Sequence, residues 1–174
     1  MVLSMIAKRE SMKSKNELNI KLLDFFKYGE FDCIKLGQTK EWILNNFPEP
    51  DSQEEVGMDI MCEIWKYGSI EFHFTENKIL FLIFSDAWFN KFEEAKNIKI
   101  DKWIFKNIKK LNLINVIKIF NENEINYQKI EDKLKIKLKL ESDIEITFEN
   151  IKNANKLNKN KYIITSFGLF NPDL

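Results

Sequence analysis

The chain's clearest signal is alternation. Leu134, Ile136, Leu138 and Leu140 alternate with Lys133, Lys135, Lys137 and Lys139, and Ile144, Ile146 and Phe148 alternate with Glu145, Thr147 and Glu149. Side chains of a strand point to opposite faces in turn, so each run is a strand with one apolar face. A three-residue turn over Glu141, Ser142 and Asp143 sets Leu138 opposite Ile146 on the apolar face. It also places Lys139 opposite Glu145 and Lys135 opposite Glu149. A two-residue turn would set Leu140 against Glu145 and mix the faces, so the pattern specifies the register.

The first half carries a second alternation, with Ile70, Phe72 and Phe74 against Glu71, His73 and Thr75. After a turn at Thr75–Lys78, Ile79 to Phe84 is apolar on both faces and predicts a central strand. Helical spacing predicts a helix over Glu17–Tyr28, stopped at Gly29, and another capped by Thr39 and ended by Pro48 and Pro50. A third helix covers Leu111–Phe120, and Tyr162–Phe170 reads as a last strand. Phe89–Lys110 is mixed in character. Residues 1–16 read as a flexible N-terminal arm and 152–161 as a polar linker.

These elements predict an α+β fold, with helices packed on one face of an antiparallel sheet. The single domain spans 17–174, with halves at 17–95 and 96–174, each reading as helix, break and strands. A length of 174 residues suits one domain.

Composition narrows the chemistry. With 27 basic and 27 acidic residues the net charge is zero, which argues against a generally basic nucleic-acid binder. Arg9 is the only arginine, so bidentate phosphate or guanine clamps have almost no supply. His73 is the only histidine and the 2 cysteines, Cys33 and Cys62, lie far apart in sequence, so no metal-ligand spacing exists. No secretory or membrane-spanning segment is legible, and the chain reads as cytoplasmic with reduced thiols. No cofactor is expected, for no glycine-rich phosphate loop occurs.

The zero total is unevenly spread. Glu41–Glu76 holds nine acids and one base, a net of −8, whereas Lys96–Leu140 nets +7. The acidic part includes a polar insert, Glu49–Glu63, between helix and strand, where binding loops tend to lie. Asp51, Glu54, Glu55 and Asp59 are its candidates for partner contact, with Trp65 and Tyr67 as aromatic anchors and Trp88 similarly placed. Glu71 and His73 share a strand face. They complete the candidate surface, and as an acid/base pair they would suit a small enzyme with His73 in a deep pocket. A third reading gives the Lys-rich second half a nucleic-acid or regulatory role, opposed by the matching Glu145 and Glu149.

One stretch resembles known families. Leu36-Gly37-Gln38-Thr39-Lys40-Glu41-Trp42-Ile43-Leu44-Asn45-Asn46-Phe47-Pro48-Glu49-Pro50 is similar to a helix-turn element of β-lactamase-inhibitor-protein-like and outer-membrane-assembly lipoprotein domains. Those read apolar-Gly-x-Ser/Thr-x-x-x-Val and then Leu-Gly-x-Pro; here Pro48 replaces the usual Gly. No lipoprotein Cys is seen, which removes the membrane-assembly role. Ile64-Trp65-Lys66-Tyr67-Gly68-Ser69-Ile70-Glu71-Phe72-His73-Phe74 looks like a strand of small bacterial proteins, some of them thought to be toxin-immunity proteins. The resemblance covers about residues 34–84 and implies a protein that binds a cognate toxin domain stoichiometrically, without catalysis, metal or membrane.

Overall fold

The structure is a computed structural model that describes residues 18–56, 62–87, 91–132, 135–150, 162–171 and 173. Short strand β1 (Asn19–Lys21) leads into helix α1 (Leu22–Tyr28), and helix α2 (Lys40–Asn46) follows. Strands β2 (Ser52–Val56), β3 (Cys62–Tyr67), β4 (Ile70–Phe74) and β5 (Leu80–Asp86) form a meander. The second half repeats this order. Strand β6 (Lys99–Asp101), a 3-10 segment (Trp103–Lys110) and helix α3 (Leu113–Glu122) precede β7 (Tyr127–Glu131), β8 (Lys135–Leu140), β9 (Ile144–Asn150) and β10 (Tyr162–Phe170). The two meanders meet through their last strands. The result is one antiparallel sheet in the order β2-β3-β4-β5-β10-β9-β8-β7, while β1 and β6 pair separately, in parallel.

The fold is α+β as expected, though mostly sheet. The β8–β9 hairpin has the register that the alternation specified, with Lys139 opposite Glu145, Leu138 opposite Ile146 and Lys135 opposite Glu149. Asp143, at φ 63°, takes the left-handed position that closes such a three-residue turn. Thr39 caps α2, its hydroxyl accepting from the Trp42 amide at 3.2 Å. β5, apolar on both faces, lies at the centre of the sheet.

Two elements differ from expectation. The stripe assigned to a helix over Glu17–Tyr28 is helical only from Leu22, because Asn19–Lys21 pairs with Lys99–Asp101 instead. The Glu49–Glu63 insert is only partly a loop: after Glu49–Asp51, Ser52–Val56 is an edge strand on β3. The expected arm at 1–16 and linker at 152–161 lie outside the described residues.

One face of the sheet carries the core. Phe26 of α1 sits among Phe167 of β10, Phe105 and Trp103 of the 3-10 segment and Phe120 of α3, at ring-centroid distances of 4.9 to 6.2 Å. Phe25 reaches Phe31, which meets Phe72 of β4, and Phe47 closes on Tyr67 and Phe72. Rings at these separations and tilts add about 0.5–1.5 kcal/mol per pair beyond area burial. On the same face lies Ser85, fully buried, whose hydroxyl has no hydrogen-bond partner among the described residues. Ser85→Ala is therefore expected to leave stability unchanged or raise it by about 1 kcal/mol, since an unpaired buried hydroxyl costs more than it contributes. A loss above that in urea unfolding would show that the hydroxyl is satisfied.

Candidate functional site

With the helices and aromatic core on one side, the other side of the sheet carries no helix among the described residues and forms its open face. Register places Lys66 (β3), Glu71 (β4), Phe84 (β5), Gly168 (β10), Glu145 (β9) and Lys139 (β8) side by side in one row across six strands. The row reads the same from both ends, apart from Phe84 and Gly168 at its middle. Sequence explains this symmetry: hairpins β3–β4 and β8–β9 share Lys-x-x-Ser, then Ile-Glu-x-x-Phe, as Lys66 to Phe74 and, with one added residue, Lys139 to Phe148. The match was present in the sequence, but the alternation hid it by drawing attention to face rather than residue type.

Flanking rows complete the surface. His73, Leu82 and Phe170 form one and Asp86, Ser166, Thr147 and Lys137 the other. A register shift after His73 brings Phe81 onto this face as well, and the His73 ring meets Phe81 and Phe84 edge-on at 6.3 and 6.0 Å. Beside Gly168 lies a concavity of ≈ 780 Å³, lined by Leu36, Leu82, Phe84, Phe170, Glu145 and Thr147 among others. A Cβ on Gly168 would press within 3.1 to 3.3 Å of the Ile83 carbonyl, Leu82 and Phe84.

Ion pairs hold the acids of this face in place. Glu71 Oε2 lies 2.9 Å from His73 Nε2, and Lys66 Nζ stands 4.0 Å from Glu71 and 2.9 Å from Glu54. Lys137 pairs with Glu145 at 2.9 Å, and Lys135 with Glu149 at 2.7 Å. The hydrogen bond with His73, despite opposing burial, and the His73 and Lys66 charges hold the Glu71 carboxyl below its ordinary range.

The residues singled out in the sequence scatter. Trp65 and Tyr67 are corrected: both are 0% exposed, on the helix-covered face, and neither can reach a partner. Their alternation with Lys66 put them there, and their polar atoms are satisfied inside. Trp65 Nε1 donates to Glu63 at 2.8 Å and Tyr67 Oη to the Pro48 carbonyl at 2.8 Å. Burial, with Asp51 and Glu49 nearby, raises the Tyr67 phenol well above its usual value. Asp51 is a latch, its carboxylate accepting from the Gly68 amide at 2.7 Å and the Lys96 amide at 2.8 Å. Glu54 faces the open side and Glu55 the opposite one, because neighbours in a strand alternate. Asp59 and Trp88 lie outside the described residues.

Glu71 and His73 are together on the open face, where the imidazole is mostly buried, 15% exposed, against Phe81 and Phe84. Among the described residues no cluster of His, Cys, Asp and Glu fits a metal ion, and no helix is long and apolar enough to cross a membrane. Cys33 and Cys62 carry free thiols, each raised by burial.

Beneath this surface, Lys40 Nζ donates to both Glu63 oxygens, 2.5 and 2.7 Å away, and lies over the Trp65 ring at 5.3 Å. Burial raises the Glu63 carboxyl, but the bonds from Lys40 and Trp65 and the Lys40 charge outweigh it and hold the carboxyl below its ordinary value. A carboxylate lowered in the folded state contributes stability above its unfolded pKa and loses it as pH falls through the folded one. Lys40→Met should therefore cost about 2 kcal/mol at pH 7, and the gap from the parent should narrow as pH falls from 4.5 toward 3. Urea midpoints at pH 7, 4.5 and 3 measure it; a gap independent of pH would refute the coupling.

Comparison with protein-family models, with curated proteins and with solved structures finds no match to this chain.

Proposed function

We propose that the protein is a stoichiometric protein-binding module, an immunity protein of the bacterial cytoplasm that neutralises a toxin by occluding it with the open sheet face. One observation carries this reading. The face sets an aromatic and aliphatic centre (Phe81, Leu82, Phe84, Phe170) inside a rim of charged residues, the arrangement of a protein–protein interface. Phe170 is 51% exposed there, a large ring that no described element covers. The resemblance over residues 34–84 points the same way.

The reading moves the binding surface off the acidic insert and keeps Glu54, Glu71 and His73 from the original set. The Lys-rich alternative loses support on this face, where Lys135 and Lys137 are matched by Glu149 and Glu145. The test is co-expression with a toxin domain encoded in the neighbouring reading frame. Growth should be rescued, a 1:1 complex should elute in size-exclusion chromatography, and Phe84→Ala should weaken it about tenfold or more. A neighbouring frame without a toxin, or a complex indifferent to Phe84→Ala, would overturn the reading.

A further inference from the structure

On the four central strands, every formally charged side chain of the open face among the described residues is a carboxylate: Glu71 on β4, Asp86 on β5, Glu145 and Glu149 on β9. The lysines, Lys66, Lys135, Lys137 and Lys139, belong to the next strands out, β3 and β8; of these Lys139 also lines the gap, where Asp143 stands 3.8 Å from its ammonium. At the middle of this acidic strip lie the Phe84 ring and the gap beside Gly168.

We propose that this gap seats an arginine side chain of the protein partner, its guanidinium against the Phe84 ring and hydrogen-bonded to Glu145. The inference rests on the open face being the docking surface and specifies what the partner must bring to its centre. Three features select that occupant. A planar guanidinium stacks on an aromatic ring and its aliphatic stem suits the Leu82 and Leu36 wall, whereas an ammonium is more strongly hydrated. A carboxylate offers about four acceptor positions, so the Lys137 bond leaves Glu145 room for a second donor. A purely apolar occupant would strip water from Glu145 without replacing its hydrogen bonds, which costs free energy. Gly168 lets Leu82 and Phe84 close in at the floor of the gap, since a Cβ there would come within 3.3 Å of both.

The probe is the capped tripeptide Gly-Arg-Gly, titrated into the full chain and followed by amide NMR shifts, beside versions with citrulline, Lys or Phe at the middle. The Arg peptide should give saturable shifts at Gly168, Ser166 and Glu145 with millimolar affinity. Citrulline, its neutral isostere, should bind about tenfold more weakly, and Glu145→Gln should lose a similar factor. Equal affinity for Arg and citrulline, indifference to Glu145→Gln, or tighter binding of the Phe peptide would overturn the arginine assignment. Those results would leave the docking reading intact if Phe84→Ala still weakened the toxin complex. Loss of that effect alone would remove the docking reading while the peptide shifts remained.

Discussion

Phe26→Ala is expected to cost about 4 kcal/mol and to lower the melting temperature by roughly 8–16 °C. Phe26 is fully buried and joins every layer of the core, touching β10 through Phe167, the 3-10 segment through Phe105 and α3 through Phe120. α1 has only 7 residues, too few to hold helical structure without tertiary contacts. Removing the ring leaves a cavity at the point where both halves of the chain meet, and neighbouring aromatics cannot collapse into it without leaving their own partners. Phe26→Leu, which keeps much of the volume, should recover half or more of the loss. Calorimetry or urea unfolding measures both variants. A loss for Phe26→Ala below about 2 kcal/mol would mean the hub relaxes freely.

The second large effect is at Gly68. Its φ is +59°, and a Cβ there would come within 2.5 Å of the Glu93 carbonyl oxygen, 2.7 Å of the Glu94 carbonyl carbon and 2.8 Å of the Ala95 amide nitrogen. All three are backbone atoms. They cannot swing aside, because the same segment is tied down: the Glu93 amide donates to Ser69 Oγ at 2.7 Å, and the Lys96 amide to Asp51. Gly68→Ala should therefore cost about 3 kcal/mol, combining left-handed backbone strain with displacement of the 93–96 segment. Gly29 supplies the internal comparison. It also has positive φ, +72°, but a Cβ there meets its nearest neighbour, the Ser142 carbonyl oxygen, at 3.0 Å. Gly29→Ala should be milder by about 1–2 kcal/mol. Equal losses in denaturant titrations would show that strain alone decides the matter and that the 93–96 segment moves out of the way.

The elements legible in the sequence are those whose two faces differ strongly. The β8–β9 hairpin could be registered because every Lys and Glu had a defined partner once Leu138 and Ile146 shared a face. β5 declared its central place by being apolar on both sides. β2 is not legible as a strand because Ser52-Gln53-Glu54-Glu55-Val56 has no apolar period. An edge strand can dispense with one, since a single neighbour holds it. Trp65 and Tyr67 look like surface anchors by residue type alone, but their own strand alternates: Lys66 between them faces out, so both rings face in.

The open-face centre was less accessible. Phe84 and Gly168 become neighbours only when β5 pairs with β10, strands more than 70 residues apart, and no local period encodes that pairing. The charge blocks of −8 and +7 describe segments, not surfaces. Folding lays Lys66 beside Glu71 and Lys139 beside Glu145, so the acids converge on the middle and the lysines flank them.

The sheet order also gives the acidic insert a different use. An open eight-stranded sheet has two outer strands, here β2 and β7, and outer strands are templates onto which a stray strand of another molecule can add. β2 carries adjacent glutamates, Glu54 and Glu55, one on each face, and β7 carries Lys129 and Glu131 with Gln128. A strand adding to either border would have to desolvate those charges. Glu54 and Glu55 thus set charge on both faces of an outer strand, which works against edge-to-edge pairing whether or not Glu54 also meets a partner.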